Sequence, residues 1–387
     1  ASNVHNGPRR REGWFARWCK KPSTPWGVLR HADDSNGSIG DVFRHLLNLH
    51  ARLCREAPPA TAQLVKWMIR FQFGDGQDFF MPDPVDYAPA LGPKGLAKYQ
   101  AGLDKVAETI PAETAPEEKR AALKLQSEDP GTWERVARHN HARFVLHFNA
   151  ERLAVAHRDT ERIIGTHAGD QSRSYKLHNT AKALAEIAET GLAIEWAKRG
   201  ALLEEGHQGE AAGEYWCQLL HEHRVEVELD ARGTVFERWP SAVNATRLHG
   251  AAAEAWPSMQ TQVLTTLSQR PDDYIEFLLV TLQDVPLAWT EAHRVDLGRV
   301  DLWDRLIATH GVHDPAAVLP VLEGLIEGGL TVADVRNDKM AVSRLSKHRA
   351  IATAAGHPEA TAALLASLRE SNSNRPRLLR ELDRLKF

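Results

Sequence analysis

The stretch Leu177-His178-Asn179-Thr180-Ala181-Lys182-Ala183-Leu184, with Ala193-Ile194-Glu195-Trp196-Ala197-Lys198-Arg199-Gly200 after it, decides the fold. With Ala181 taken as the small residue of a first helix, Leu184 follows three positions later, Ala193 twelve, Ala197 sixteen and Gly200 nineteen. Helices whose backbones approach closely need small side chains where they cross. The spacing therefore predicts an antiparallel helical hairpin over residues 177–200.

Outward from that hairpin toward the C-terminus, breakers recur at Gly206–Gly209, Pro240-Ser241, Pro257, Pro271, Pro286, Gly311–Pro315, Gly328-Gly329 and Gly356–Pro358. They fall at intervals of one or two helices with apolar periodicity between them, as a helical-hairpin array requires. The expectation is an all-α, tetratricopeptide-like α-solenoid of antiparallel helix pairs with a concave groove. One segment reads two ways. Arg224-Val225-Glu226-Val227-Glu228-Leu229 alternates like a strand, but helical neighbours on both sides favour helix, with Gly233 as a weak spot.

Toward the N-terminus, Phe144, Val145, Phe148, Leu153 and Val155 stripe a long helix ending before His157-Arg158-Asp159. Residues 110–131 turn to Pro, Glu and Thr around a short helix from Glu117 to about Leu125, and are either a domain boundary or a long loop between repeats. Above it come a helix near Leu96–Val106 and a loop over 74–83. Two helices, carrying Ile39 to Leu53 and Leu64 to Phe71, flank Pro58-Pro59 and are expected to be antiparallel neighbours. Asn36 or Ser38 can cap the first of them. The expected organisation is a basic, aromatic arm over 1–37, a helical region over 38–128 and a helical-repeat region over 129–387.

Composition limits the function classes. A hydrophobic fraction of 43% with eleven Trp supports a sizeable core, and a formal net charge of −3 argues against a generic polyanion binder. No apolar run is long enough to cross a bilayer, so no membrane partner is expected. Cys19, Cys54 and Cys217 are few and far apart, which fits free thiols in a reducing cytoplasm.

Several blocks resemble an uncharacterised bacterial family, frequent in actinobacteria, of helical-repeat proteins that often carry an N-terminal SWIM-type zinc finger. They are Asp33-Asp34-Ser35-Asn36-Gly37, Leu49-His50-Ala51-Arg52, Asp86-Tyr87-Ala88 with Leu91-Gly92, and Gly95-Leu96-Ala97-Lys98-Tyr99. Further blocks are Ala193-Ile194-Glu195-Trp196-Ala197, Phe236-Glu237-Arg238-Trp239-Pro240-Ser241 and Arg375-Pro376-Arg377-Leu378-Leu379. The resemblance spans residues 33–387 and implies a helical repeat, with no activity attached. A SWIM finger needs Cys-x-Cys and Cys-x-His ligands. This sequence has no such paired cysteines.

Candidate sites are few. Cys217 and His221 share a helical face and could bind a soft divalent metal, but His223 points about 160° from His221 on a helix. His139, His141, His147 and His157 have no fixed spacing and no carboxylate at a constant offset. No Gly-rich phosphate loop, Gly-x-Ser-x-Gly elbow or His-Glu-x-x-His occurs, so no cofactor is expected. Asp33–Asp41 lacks the terminal Glu of a calcium loop and reads as helix capping. Two basic areas stand out: Arg9, Arg10 and Arg11 with Trp14 and Trp18, and a C-terminal set of Arg344, Lys347, Arg349, Arg375, Arg377 and Arg380. Interleaved cations and aromatics can neutralise phosphates and stack bases. The leading expectation is a non-catalytic cytoplasmic scaffold that binds a protein or peptide partner. Nucleic-acid association through the basic ends is the alternative, and an enzyme with a histidine site assembled from distant residues is the third.

Overall fold

A computed structural model describes residues 38–74, 80–111, 130–295 and 297–385. Those residues are helices joined by short connections, with no strand among them, so the all-α expectation holds. The expected arm over 1–37, with Arg9, Arg10, Arg11, Trp14 and Trp18, and the short helix from Glu117 lie outside the described residues. The chain divides into two compact units, one up to Leu219 and one from Leu220.

The first unit contains α1 (Ser38–Glu56), α2 (Thr61–Phe73), α3 (Pro84–Glu108) and α4 (Pro130–Ala156). It continues through α5 (Thr160–Ile163), a π-turn over Ile164–Ala168, α6 (Ser174–Glu186) and α7 (Thr190–Leu203), and the division between the units falls inside α8 (His207–His223). The deciding hairpin is α6–α7. Ala181, Ala193 and Ala197 are wholly buried there. A Cβ on Gly200 would lie 3.1 Å from Ala212 Cβ and 3.3 Å from both Leu177 Cβ and the Ser174 carbonyl oxygen. The end of α7 thus meets the start of α6, which makes the pair antiparallel. The turn closes with Ala188 at φ 66° and a bond from Glu189 N to Leu184 O of 3.0 Å, a left-handed helix terminus without glycine.

Replacing Ala193 by Leu adds three carbons at this crossing, and overpacking of this kind costs about 1–3 kcal/mol. The expected result is a lower melting temperature with lost hydrogen-exchange protection over 174–203. An unmoved melt would place Ala193 away from the crossing.

The pairing is not antiparallel throughout. A Cβ on Gly95 would meet Thr61 Cγ2 at 2.9 Å, and one on Gly102 would meet Ile69 Cδ1, so α2 and the second half of α3 run the same way. The helix expected near 96–106 starts earlier, at Pro84, and is broken inside at Leu91-Gly92-Pro93. Gly92 has φ 60° and ψ 178°, a conformation essentially reserved for glycine. The first half of α3 packs on α1 and the second on α2. Across the Pro-rich stretch, α4 also packs on α3, through Asn149 and Tyr99. Phe144, expected on the apolar stripe, is exposed.

The second unit holds α9 (Glu228–Arg238), α10 (Ala242–Ala252), α11 (Trp256–Ser268), α12 (Pro271–Val280) and α13 (Val285–Arg294). After these come α14 (Val300–His310), α15 (Pro315–Gly329), α16 (Val335–Ala354), α17 (Glu359–Ser371) and α18 (Pro376–Asp383). The alternating segment is a 3₁₀ turn, Val225–Val227, leading into α9, as its helical neighbours suggested. The prolines at 257, 271, 286, 315 and 376 open helices, where a missing N–H removes no intrahelical bond. Ser241, Asp284 and Asp314 cap neighbouring starts through backbone N–H groups.

Candidate functional site

In the first unit, one face of α1 is apolar, with Leu47, Ala51 and Cys54 buried. Its exposed ridge carries Arg44, Asn48, Arg52 and Arg55 at helical spacing. The start of α3 runs beside this ridge. Asp83 caps α3 by accepting the Val85 N–H at 2.9 Å, and Pro84 occupies the first turn.

Three buried side chains fix that start. The Tyr99 hydroxyl lies 2.7 Å from both Gln72 Oε1 and Asn149 Oδ1, sharing one proton between two carbonyl oxygens. The Asn149 amide donates to Val145 O at 2.7 Å and to Gln72 Oε1 at 3.1 Å. Gln72 Nε2 then donates to Pro82 O at 3.0 Å, next to Asp83. A fully partnered buried network of this kind rigidifies what it holds. Burial also pushes the Tyr99 hydroxyl well above the usual phenol range, so it stays protonated.

Two clefts open between α1 and α3. The first, of about 290 Å³, has Arg44, Leu47, Phe80, Asp83, Tyr87 and Phe148 in its walls. The second, of about 520 Å³, is bounded by Ala51, Arg52, Arg55, Val85 and Pro89. Asn48 and Asp86 line both, so they form the saddle of one trough. The floor is aromatic and rigid. Tyr87 Oη is 2.9 Å from His50 Nδ1, and the His50 ring lies 4.4 Å from the Trp67 ring, tilted 45° to it. Burial pulls the His50 pKa down to about 4, so its imidazole is neutral at pH 7.

The walls carry opposite signs. Arg152 Nε binds Asp83 Oδ2 at 2.8 Å, while its two Nη groups fork onto Glu186 at 3.0 and 2.7 Å. Burial raises the Asp83 and Asp86 carboxyls above the usual carboxylate range, with the Arg152 charge opposing the shift at both. Facing them, Arg44 is held by Asp41 at 2.7 Å and lies over the Phe80 ring.

The residues singled out from sequence lie elsewhere. Cys217 is buried in α8, whereas His221 is exposed with Nδ1 2.8 Å from Glu228 Oε2, and His223 lies beside Glu222. No group of three metal-ligating side chains occurs among the described residues. His147 pairs with Glu151 one turn on. Of the C-terminal basic set, Arg344 is buried and forks onto Asp304 at 3.1 and 2.8 Å, and Arg375 binds the buried Asp338. These two hold the second unit together rather than face a ligand. Lys347, Arg349, Arg377 and Arg380 are exposed. The trough was overlooked because Asp86-Tyr87-Ala88 served only as a resemblance block. The available signal was a polar ridge of Arg44, Asn48, Arg52 and Arg55 on a helix with one apolar face.

Residues 23–199 match the model of a family described as Family of unknown function (DUF6880), a stretch that includes the whole trough. No curated protein and no solved structure is matched.

Proposed function

We propose that this chain is a non-catalytic cytoplasmic scaffold that binds a protein or peptide partner in the trough between α1 and α3. The observation that carries this reading is the mixed charge of the trough over an aromatic floor. Arg52 and Arg55 stand on one wall, and Asp83 and Asp86 on the other. A nucleic-acid strand presents phosphate at every step and would meet the two aspartates as like charges. A polypeptide offers both signs and apolar side chains together. The resemblance to helical-repeat proteins often joined to SWIM fingers also fits an adaptor. Among the described residues, no helix is long and apolar enough to cross a membrane.

The second reading, nucleic-acid association, is supported by the exposed Lys347, Arg349, Arg377 and Arg380. The histidine-enzyme reading has less behind it. His50 is closed in by Trp67 and Tyr87, and His348 is wholly buried between Thr361 and Glu323.

The test is chemical cross-linking of the purified chain in an extract of its own cells. Asn48→Trp fills the saddle and is expected to abolish a specific polypeptide adduct that Lys347→Glu with Arg377→Glu leaves intact. An adduct indifferent to Asn48→Trp, or lost only with the C-terminal charge reversal, would overturn the reading.

A further inference from the structure

We infer that the occupant of the trough is an extended peptide segment with a Lys or Arg and, two residues away, an Asp or Glu, and that Asn48 clasps its backbone. This rests on the trough being the protein-binding site. Asn48 makes no hydrogen bond to a described residue, although it stands on the saddle shared by both clefts. A carboxamide carries a donor and an acceptor side by side, so it can pair with the C=O and N–H of a peptide chain at once. That contact gives affinity without reading sequence.

The charges supply the sequence preference. In the first cleft, the three side-chain hydrogen bonds of Arg152 go to Asp83 and Glu186, and Asp86 feels its charge but has no ion pair among the described residues. An incoming cation would meet this carboxylate in a cleft that Phe80, Tyr87 and Phe148 also line. In the second cleft, Arg52 and Arg55 are exposed and likewise have no ion pair among the described residues. They suit a carboxylate.

Spacing sets the register. Along α1 the first cleft centres near residue 46 and the second near residue 51 or 52, a rise of about 8 Å at 1.5 Å per residue. Side chains two apart on one face of an extended chain are about 6.6 Å apart. Adjacent residues point to opposite faces and cannot fill both clefts.

The experiment is fluorescence anisotropy of the full chain with labelled, capped heptapeptides. The probes are Ala-Ala-Lys-Ala-Glu-Ala-Ala and its reverse order, the adjacent-charge Ala-Ala-Lys-Glu-Ala-Ala-Ala, Lys-Ala-Lys and Glu-Ala-Glu analogues, and oligo-dT. At least one order of the spaced pair should bind about tenfold more tightly than the adjacent pair, the scale of one added charge-assisted hydrogen bond. Asp86→Asn should erase the benefit of lysine over alanine, and Arg52→Gln with Arg55→Gln the benefit of glutamate. Asn48→Ala should weaken every peptide by a similar factor of about five. Equal binding of all peptides, no binding of any, or preferential binding of oligo-dT would overturn the pattern. If Asn48→Trp still abolishes the polypeptide adduct while the peptides are bound alike, only this inference falls. If the adduct survives Asn48→Trp, the protein-binding reading falls with it.

Discussion

Replacing Asp304 by Ala is expected to destabilise the second unit by about 3 kcal/mol, the scale for removing one partner of a buried ion pair. The Arg344 guanidinium is almost fully enclosed, with only 6% of its side chain exposed. It donates to both oxygens of Asp304 and reaches the Leu325 carbonyl at 3.4 Å. Without Asp304 this cation stays buried with one distant carbonyl. The reverse change, Arg344→Met, should cost less, because the Asp304 side chain is 34% exposed and can recover water. Combining Arg344→Met with Asp304→Leu should restore much of the loss, since an apolar pair carries no desolvation cost. Urea denaturation of the wild type, Asp304→Ala, Asp304→Leu, Arg344→Met and the double variant checks this. Additive losses, or a loss below about 1 kcal/mol for Asp304→Ala, would show that the pair does not hold the unit together.

That pair shows where reading the sequence stops. Arg344 looked like part of a basic surface because its neighbours Lys347 and Arg349 are cationic, but its partner lies 40 residues away. Arg375 and Asp338 are 37 apart. Tertiary pairing at such separations leaves no local trace, so a count of basic residues overstates a basic surface. What was legible is local. The small residues of α6 and α7, the prolines that open helices and the end of α4 before His157 all follow from spacing and backbone chemistry. The left-handed termini at Arg158, Ala188 and Gln283 were invisible, because glycine is the usual sign of such a turn and none is present there. The start of α3 was hidden by Pro89 and Pro93, which look like loop residues until Gly92 is seen to divide the helix between them. The trough lies just there, which is why its carboxylates were missed.

Acid is expected to loosen the first unit as pH falls below the ordinary histidine value of 6.5, and His50 is one of the causes. Its folded pKa is about 4 against an ordinary value of 6.5, because burial disfavours the imidazolium. Between those values the unfolded chain binds more protons than the folded one, so stability falls as pH falls. The contribution is intact above pH 6.5 and disappears toward pH 4. A displacement of this size corresponds to about 3 kcal/mol in all, and about 2 kcal/mol of it is lost by pH 5. His167 and His178 in the same unit are lowered by burial as well and add in the same direction. Asp83 and Asp86, raised by burial, act in the opposite sense at lower pH, so wild type must be compared with a variant lacking the His50 imidazole. His50→Gln, with His50→Phe as a second choice in case the amide packs poorly against Trp67, removes this titration and leaves the others. From pH 7 to pH 5 the wild type should lose about 2 kcal/mol more than either variant in urea denaturation. Equal losses would mean that His50 takes up its proton in the folded state near its ordinary pKa. The Tyr87 hydroxyl beside it would then have to open toward water, and with it the floor of the trough.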